Sequence, residues 1–130
     1  MVIDASALLA VLFGEPEADP VARSIASDPR RISSAFTVLE AAIVAEARKG
    51  ESGGRELDLL LHRIALESVP LTASHMEVAR DAWRRFGKGK HPASLTIGDC
   101  CAYALSRISG EPLLFKGDDF AGTDVARVEY

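Results

Sequence analysis

Cysteine is scarce in this chain. Cys100 and Cys101 are the only two, and they are adjacent. Neighbouring cysteines rarely bridge one another in a folded domain, so a disulfide framework is excluded. Histidine is nearly as rare, at three residues. None stands at zinc-ligand spacing from the cysteine pair, which excludes a structural zinc site. The pair reads instead as two reduced thiols in a reducing compartment. Long apolar runs are missing as well. Ala5–Phe13 is apolar, but Asp4 precedes it and no basic stretch does, so it has neither the length of a membrane span nor the form of a signal peptide. The expectation is a cytoplasmic protein with no membrane contact. A basic excess is also lacking: 15 Lys and Arg face 19 Asp and Glu, for a net charge of −4. A protein that simply coats nucleic acid carries the opposite balance. There is no internal repeat, linker or low-complexity tract.

What is present is ordinary globular material. The 130 residues are 48% hydrophobic and 26% charged, which suits one domain over 1–130. Short apolar runs alternate with helical patterns. Met1–Ile3, Arg30–Ser33, Leu66–Leu71 and Leu113–Phe115 read as strands, and Val125–Val128 as a further one. Ala5–Phe13, Glu17–Ser27, Ala35–Arg48, Arg55–Ala65, Ala73–Phe86 and Ile97–Ser109 read as helices, with Gly50 as a C-cap and Glu51–Gly54 as a loop. Met76, Ala79, Trp83 and Phe86 fall on one helical face. Ile97, Cys101, Ala104, Leu105 and Ile108 are expected to point inward. Strands alternating with helices predict an α/β domain with a parallel sheet.

In such a sheet, ligands sit beyond the carboxyl ends of the strands. Asp4 follows the first strand, and Asp118 and Asp119 follow Leu113–Phe115. Glu40 and Asp99 lie in the first turns of helices beginning near the same edge. Each acid also has an ordinary structural reading. Thr37–Glu40 and Thr96–Asp99 both fit the capping box, in which the acid satisfies backbone donors. Gly117-Asp118-Asp119 is a common turn. The structural reading is weaker for Glu40. Its helix is apolar nearly all round, with Ile43, Val44 and Ala47 on the face of Glu40, which predicts burial. A buried carboxylate needs a partner, and no Lys or Arg lies one turn away. A metal cation would partner several such acids at once. Oxygen ligands without His or Cys favour Mg2+ or Mn2+. No Ser–His or Cys–His pair is evident, so water is the natural nucleophile.

Four segments carry a resemblance. Val2-Ile-Asp4-Ala-Ser6-Ala, Ser34-Ala-Phe-Thr-Val-Leu-Glu40, Leu95-Thr-Ile-Gly-Asp99-Cys-Cys-Ala-Tyr103-Ala and Leu114-Phe-Lys-Gly-Asp118-Asp-Phe120 resemble, in order and spacing, the successive motifs of PIN-domain ribonucleases. Phe86-Gly-Lys-Gly-Lys before the third motif is similar to the VapC toxin branch. The resemblance spans essentially the whole chain. It implies a PIN-like three-layer α/β/α domain with a mainly parallel sheet in the order 3-2-1-4-5. It implies Mg2+- or Mn2+-dependent cleavage of RNA by a toxin of a toxin–antitoxin pair. Asp4, Glu40, Asp99 and Asp118 become the metal-site and catalytic acids. Asp119 is adjacent to the fourth, whose position varies in the family. Ser6 is implied as a hydroxyl supporting the first acid. A homodimer and a VapB-like antitoxin are the implied protein partners.

A basic cluster precedes the third motif. Lys88, Lys90 and Arg85, with Lys116 beside the fourth, are candidate RNA-binding residues, although a solvated helix end accounts for the cluster equally well. Trp83 and Phe86 fit core spacing better than a base-stacking platform. Glu15, Glu17 and Asp19 carry no assigned role. Two other readings compete. A phospho-receiver-like module needs paired acids at the first strand and an Asp after the third, and neither is present. A catalytically inactive PIN-like binding module would not need the complete acidic set.

Overall fold

The computed structural model describes all residues from Met1 to Tyr130. Its elements are β1 (Val2–Ile3), α1 (Ala5–Leu12), α2 (Ala18–Ser27), β2 (Ile32–Ser34), α3 (Ala35–Arg63), β3 (Glu67–Val69), α4 (Ala73–Phe86), α5 (Ile97–Ser109) and β4 (Leu113–Leu114). All pairings are parallel, in the order β3-β2-β1-β4. The expected fifth strand is reduced to one parallel bridge between Leu113 and Arg127. Leu113 N–H donates to Ala126 O and Val128 N–H to Leu113 O, so the tail lies beside β4 without extending the sheet further.

The three layers follow from strand alternation. Val2 and Leu113 pair in register and face one side; Ile3 and Leu114 face the other. Val2, Ile32 and Leu113 join Phe86, Leu95, Tyr103 and Phe120 under α4 and α5. Ile3 and Leu114 join Leu8, Val21, Ile25, Ala41 and Leu57 under α1, α2 and α3. A sheet covered on both faces needs apolar residues at successive positions, which the central β1 and its neighbour β4 supply, whereas β2 buries Ser33 and Ser34 and the edge strand β3 exposes Glu67 and Ser68.

Two expectations are corrected. Residues 51–54 are helical rather than a loop. The chain breaks only at Gly50, at φ 64° and ψ −158°, and resumes helix at once. Gly53 permits this, because a Cβ there would strike the carbonyl of Ala45 in the preceding segment. The burial pattern is the second correction. Ile43 is 59% exposed and Ile97 70%, and Leu39, Met76, Trp83 and Ile108 are exposed too. Ala47 also faces solvent, so the helix carrying Glu40 is buried on one face only. No helix is long and apolar enough to cross a membrane.

Candidate metal centre

Asp4 ends β1 and caps α1. Its Oδ2 accepts the backbone N–H of Ser6 at 3.0 Å and the Ser6 hydroxyl at 2.6 Å. The same hydroxyl oxygen accepts the backbone N–H of Lys116 at 3.0 Å. Ser6 therefore ties the first acid to the segment leaving β4, across 110 residues of sequence. Asp4 is 5% exposed, and this burial lifts its carboxyl to about 6 despite those hydrogen bonds. Ser6→Ala leaves Asp4 with the backbone donor alone and frees the β4 loop. The expected result is a Mn2+ affinity weakened about tenfold or more, measured by titration calorimetry, with the fold retained.

Glu40 projects from α3 and is half-buried. Burial, then the charges of Asp4 and Asp99, push its carboxyl to about 7. No hydrogen bond or cation of the protein offsets them. Asp99 sits three residues past the cap of α5. The capping box foreseen as its structural role is formed: Thr96 N–H donates to Asp99 Oδ2 at 2.9 Å, and Asp99 N–H to Thr96 Oγ1 at 3.3 Å. Burial still raises Asp99, and the charge of Asp119 raises it further. Capping and membership of the acidic cluster thus coexist in one side chain. The Thr37–Glu40 pair forms no such box: the cap of α3 is Ser34, which accepts from Phe36 N–H. Asp118 and Asp119 after β4 are both exposed, and it is the charge of Asp119 that bears on Asp99.

The carboxylates do not enclose a finished cage, since no three acidic, His or Cys side chains converge tightly. Mg2+ in any case retains several waters and needs only one or two direct carboxylates. The donor set fits such an ion in chemistry, being all oxygen. Glu40 has no protein partner, and its carboxylate lies where a Cβ at Gly98 would fall. The neighbouring thiols do not compete as ligands: burial pushes Cys100 to about 11 and raises Cys101.

The basic candidates divide. The Lys116 ammonium is held between Glu15 and Glu17, with Glu17 Oε2 at 3.2 Å. The Arg85 guanidinium meets Asp124 Oδ2 at 3.0 Å and the Tyr103 hydroxyl at 3.3 Å, and lies over the Phe86 ring. Both make ion pairs within the chain, whereas no acidic side chain pairs with Lys88 or Lys90. The acidic segment left without a role, Glu15 and Glu17, is what engages Lys116. Lys88 and Lys90 are exposed, with Lys90 4.3 Å from the ring centre of Trp83. Ser33 and Gly98 drew no individual attention in the sequence, and Thr37 was read only as a cap. The Ser33 hydroxyl donates to Ile3 O at 2.6 Å beneath the cluster, and Thr37 Oγ1 is buried without a partner. Only the Thr-Ile-Gly-Asp spelling could have signalled Gly98.

Comparison with known proteins bears on this arrangement. The PIN domain family model matches residues 1–126. A protein named Ribonuclease VapC from Mycolicibacterium smegmatis is 54% identical over 128 residues, covering 98% of this chain and 99% of its own. Ribonuclease VapC30 of Mycobacterium tuberculosis is 52% identical over 98% of each chain. Among solved structures, Mycobacterium tuberculosis VapC20, described as a Sarcin-Ricin loop cleaving toxin, superposes with a TM-score of 0.80 at 18% identity, covering 98% of this chain and 97% of that one. VapBC2 from Rickettsia felis, bound to a DNA fragment from its promoter, gives 0.77 at 14% identity, covering 98% of this chain and 96% of that one.

Proposed function

The chain belongs to the PIN-domain family, and from that premise we propose that it is a metal-dependent endoribonuclease acting as the toxin of a VapBC-type toxin–antitoxin pair. One observation carries the reading. Asp4, Glu40 and Asp99, with Asp119 beside them, come from four separate parts of the chain to one sheet edge, and no protein cation offsets them. Relatives of more than half identity over nearly the whole chain are named ribonucleases.

Asp4, Glu40 and Asp99 would hold Mg2+ or Mn2+, with Asp119 in preference to Asp118 as the fourth acid. When bound there, such an ion would supply a water of lowered pKa and offset charge on the scissile phosphate. The residues of the chain do the rest. Ser6 fixes Asp4 Oδ2 and leaves Oδ1 free to face the cluster. Glu40, which no hydrogen bond of the protein engages, keeps both carboxylate oxygens available to the ion. Asp99 keeps one oxygen on its cap, which holds its stem rigid. Lys88 and Lys90 lie on the loop leading into α5 and recruit phosphates to an otherwise acidic edge. Replacing both with Ala should weaken RNA binding alike across sequences and lower the salt slope by roughly 1.4, the value for two phosphates of a single strand. Lys116→Met, removing a lysine already paired internally, should leave that slope unchanged. Fluorescence anisotropy across a salt series decides it.

The partners follow from the same reading. A VapB-like antitoxin and a second copy of the chain are the protein partners of this reading, and the exposed apolar groove between α4 and α5 is open to either. That groove, about 680 Å3, is lined by Phe36, Leu71, Met76, Trp83 and Ile97 among others. The test of the function is direct. Purified protein incubated with total RNA should cleave with Mn2+ and stop with EDTA. Expression should arrest growth unless a small antitoxin gene is co-expressed. Intact RNA and unhindered growth would overturn the reading.

A further inference from the structure

Gly98 is the second residue of α5, between Ile97 and Asp99. Its backbone is not left-handed, unlike Gly50 or Gly110, so the chain path does not require glycine. Inside a helix glycine is less favourable than alanine. What distinguishes the position is what lies against it. A Cβ built there falls on Oε1, Oε2 and Cδ of Glu40, far inside the 3.0 Å that real Cβ atoms keep. At Gly53 and Gly87 the same construction strikes backbone, the carbonyls of Ala45 and Trp83, so those glycines serve packing. At Gly54 it meets one side chain, the exposed Glu46, which belongs to no cluster; at Gly98 the nearest atoms all belong to the carboxylate of Glu40, on which the charges of Asp4 and Asp99 bear.

We propose that Gly98 is a positioning residue for the acidic cluster, its bare α-carbon being the seat on which the Glu40 carboxylate rests beside Asp99. This rests on reading the cluster as a metal site. The obstructing atoms are the far end of a flexible side chain. A methyl at 98 is therefore absorbed by swinging Glu40 aside, not by moving α3 or α5. The fold survives and the ligand set does not. A purely structural glycine would behave in the opposite way, losing stability while each folded molecule kept its metal affinity.

The experiment compares the parent, Gly98→Ala, Glu40→Asp and the double variant. Mn2+ binding is read by titration calorimetry and by loss of the free-ion EPR signal, and stability by thermal melts in EDTA. Gly98→Ala should melt in EDTA at the parent temperature or above it. Its Mn2+ affinity should fall about tenfold or more, and the rise in Tm on adding Mn2+ should shrink with it. With Asp at 40, the shorter acid clears the methyl, and the same change should cost no more than about twofold. Equal Mn2+ affinity in parent and Gly98→Ala, or an equal loss in both backgrounds, overturns the seat. Failure of the parent itself to bind Mn2+ overturns the metal reading, and is visible without any variant.

Discussion

Asp4→Asn and Asp99→Asn are each expected to reduce Mn2+-supported RNA cleavage by at least about a hundredfold, the scale of losing electrostatic stabilisation at a reacting phosphate. Asparagine keeps the size and one acceptor oxygen of the acid but loses its charge. At position 4 that oxygen can still accept both Ser6 donors. At position 99 it can still accept the Thr96 N–H, so α5 remains capped. Both folds should therefore persist, with unchanged circular dichroism, while cleavage of labelled RNA disappears. Full activity in both variants would show that the cluster is not the reacting centre. Asp118→Asn and Asp119→Asn, compared in the same assay, assign the fourth acid. The larger loss is expected at Asp119, whose charge bears on Asp99.

The metal-free protein should become less stable as pH rises through the range in which the cluster ionises. Asp4 ionises at 3.8 and Glu40 at 4.5 in their ordinary states, but at about 6 and about 7 when folded. Between those limits the folded chain holds protons that the unfolded chain has released. Stability is then full below the lower values and falls as pH climbs through the upper ones. Each tenfold gain in proton affinity corresponds to about 1.4 kcal/mol, so Asp4, wholly buried, accounts for roughly 3 kcal/mol. Glu40 stands half in solvent and contributes less than its shift alone implies. Urea melts in EDTA from pH 4 to pH 8 measure the slope. Added Mn2+ should flatten it, because the ion binds the deprotonated folded state. Glu40→Gln should stabilise the metal-free protein at the alkaline end by about 1 kcal/mol, since it removes a charge with no protein partner. Asp99→Asn has no comparable gain in prospect, because the Asp99 carboxylate also accepts a cap bond at the positive end of α5. A stability that rises with pH across this interval would mean the acids are paired in the folded chain, against the arrangement described.

Helix α5 shows how local patterns and the fold divide the explanation. Its boundaries and its Thr96–Asp99 box are local, and both were legible in the spelling of the segment; the left-handed Gly110 that ends it is equally local. Which of its apolar residues are buried was not. Ile97 matches the inward pattern of Cys101 and Leu105, yet it lies at the mouth of an open groove because α4 reaches over only one flank of α5. Amphipathic periodicity reports that a face is apolar, and a partner may lie in this chain or in another.

The acids follow the same division. Strand–helix alternation, parallel pairing and remote carboxylates at strand ends and helix starts were determined by the sequence, since hydrophobic period and capping residues act over a few neighbours. The charge of Asp119 bearing on Asp99, the capture of Lys116 by Glu15 and Glu17, the Arg85–Asp124 pair and the contact of the Glu40 carboxylate with Gly98 are visible only in the tertiary structure. Each depends on atoms separated by tens of residues. Charge and contact fall off within a few ångströms of space, and distance along the chain carries no record of them.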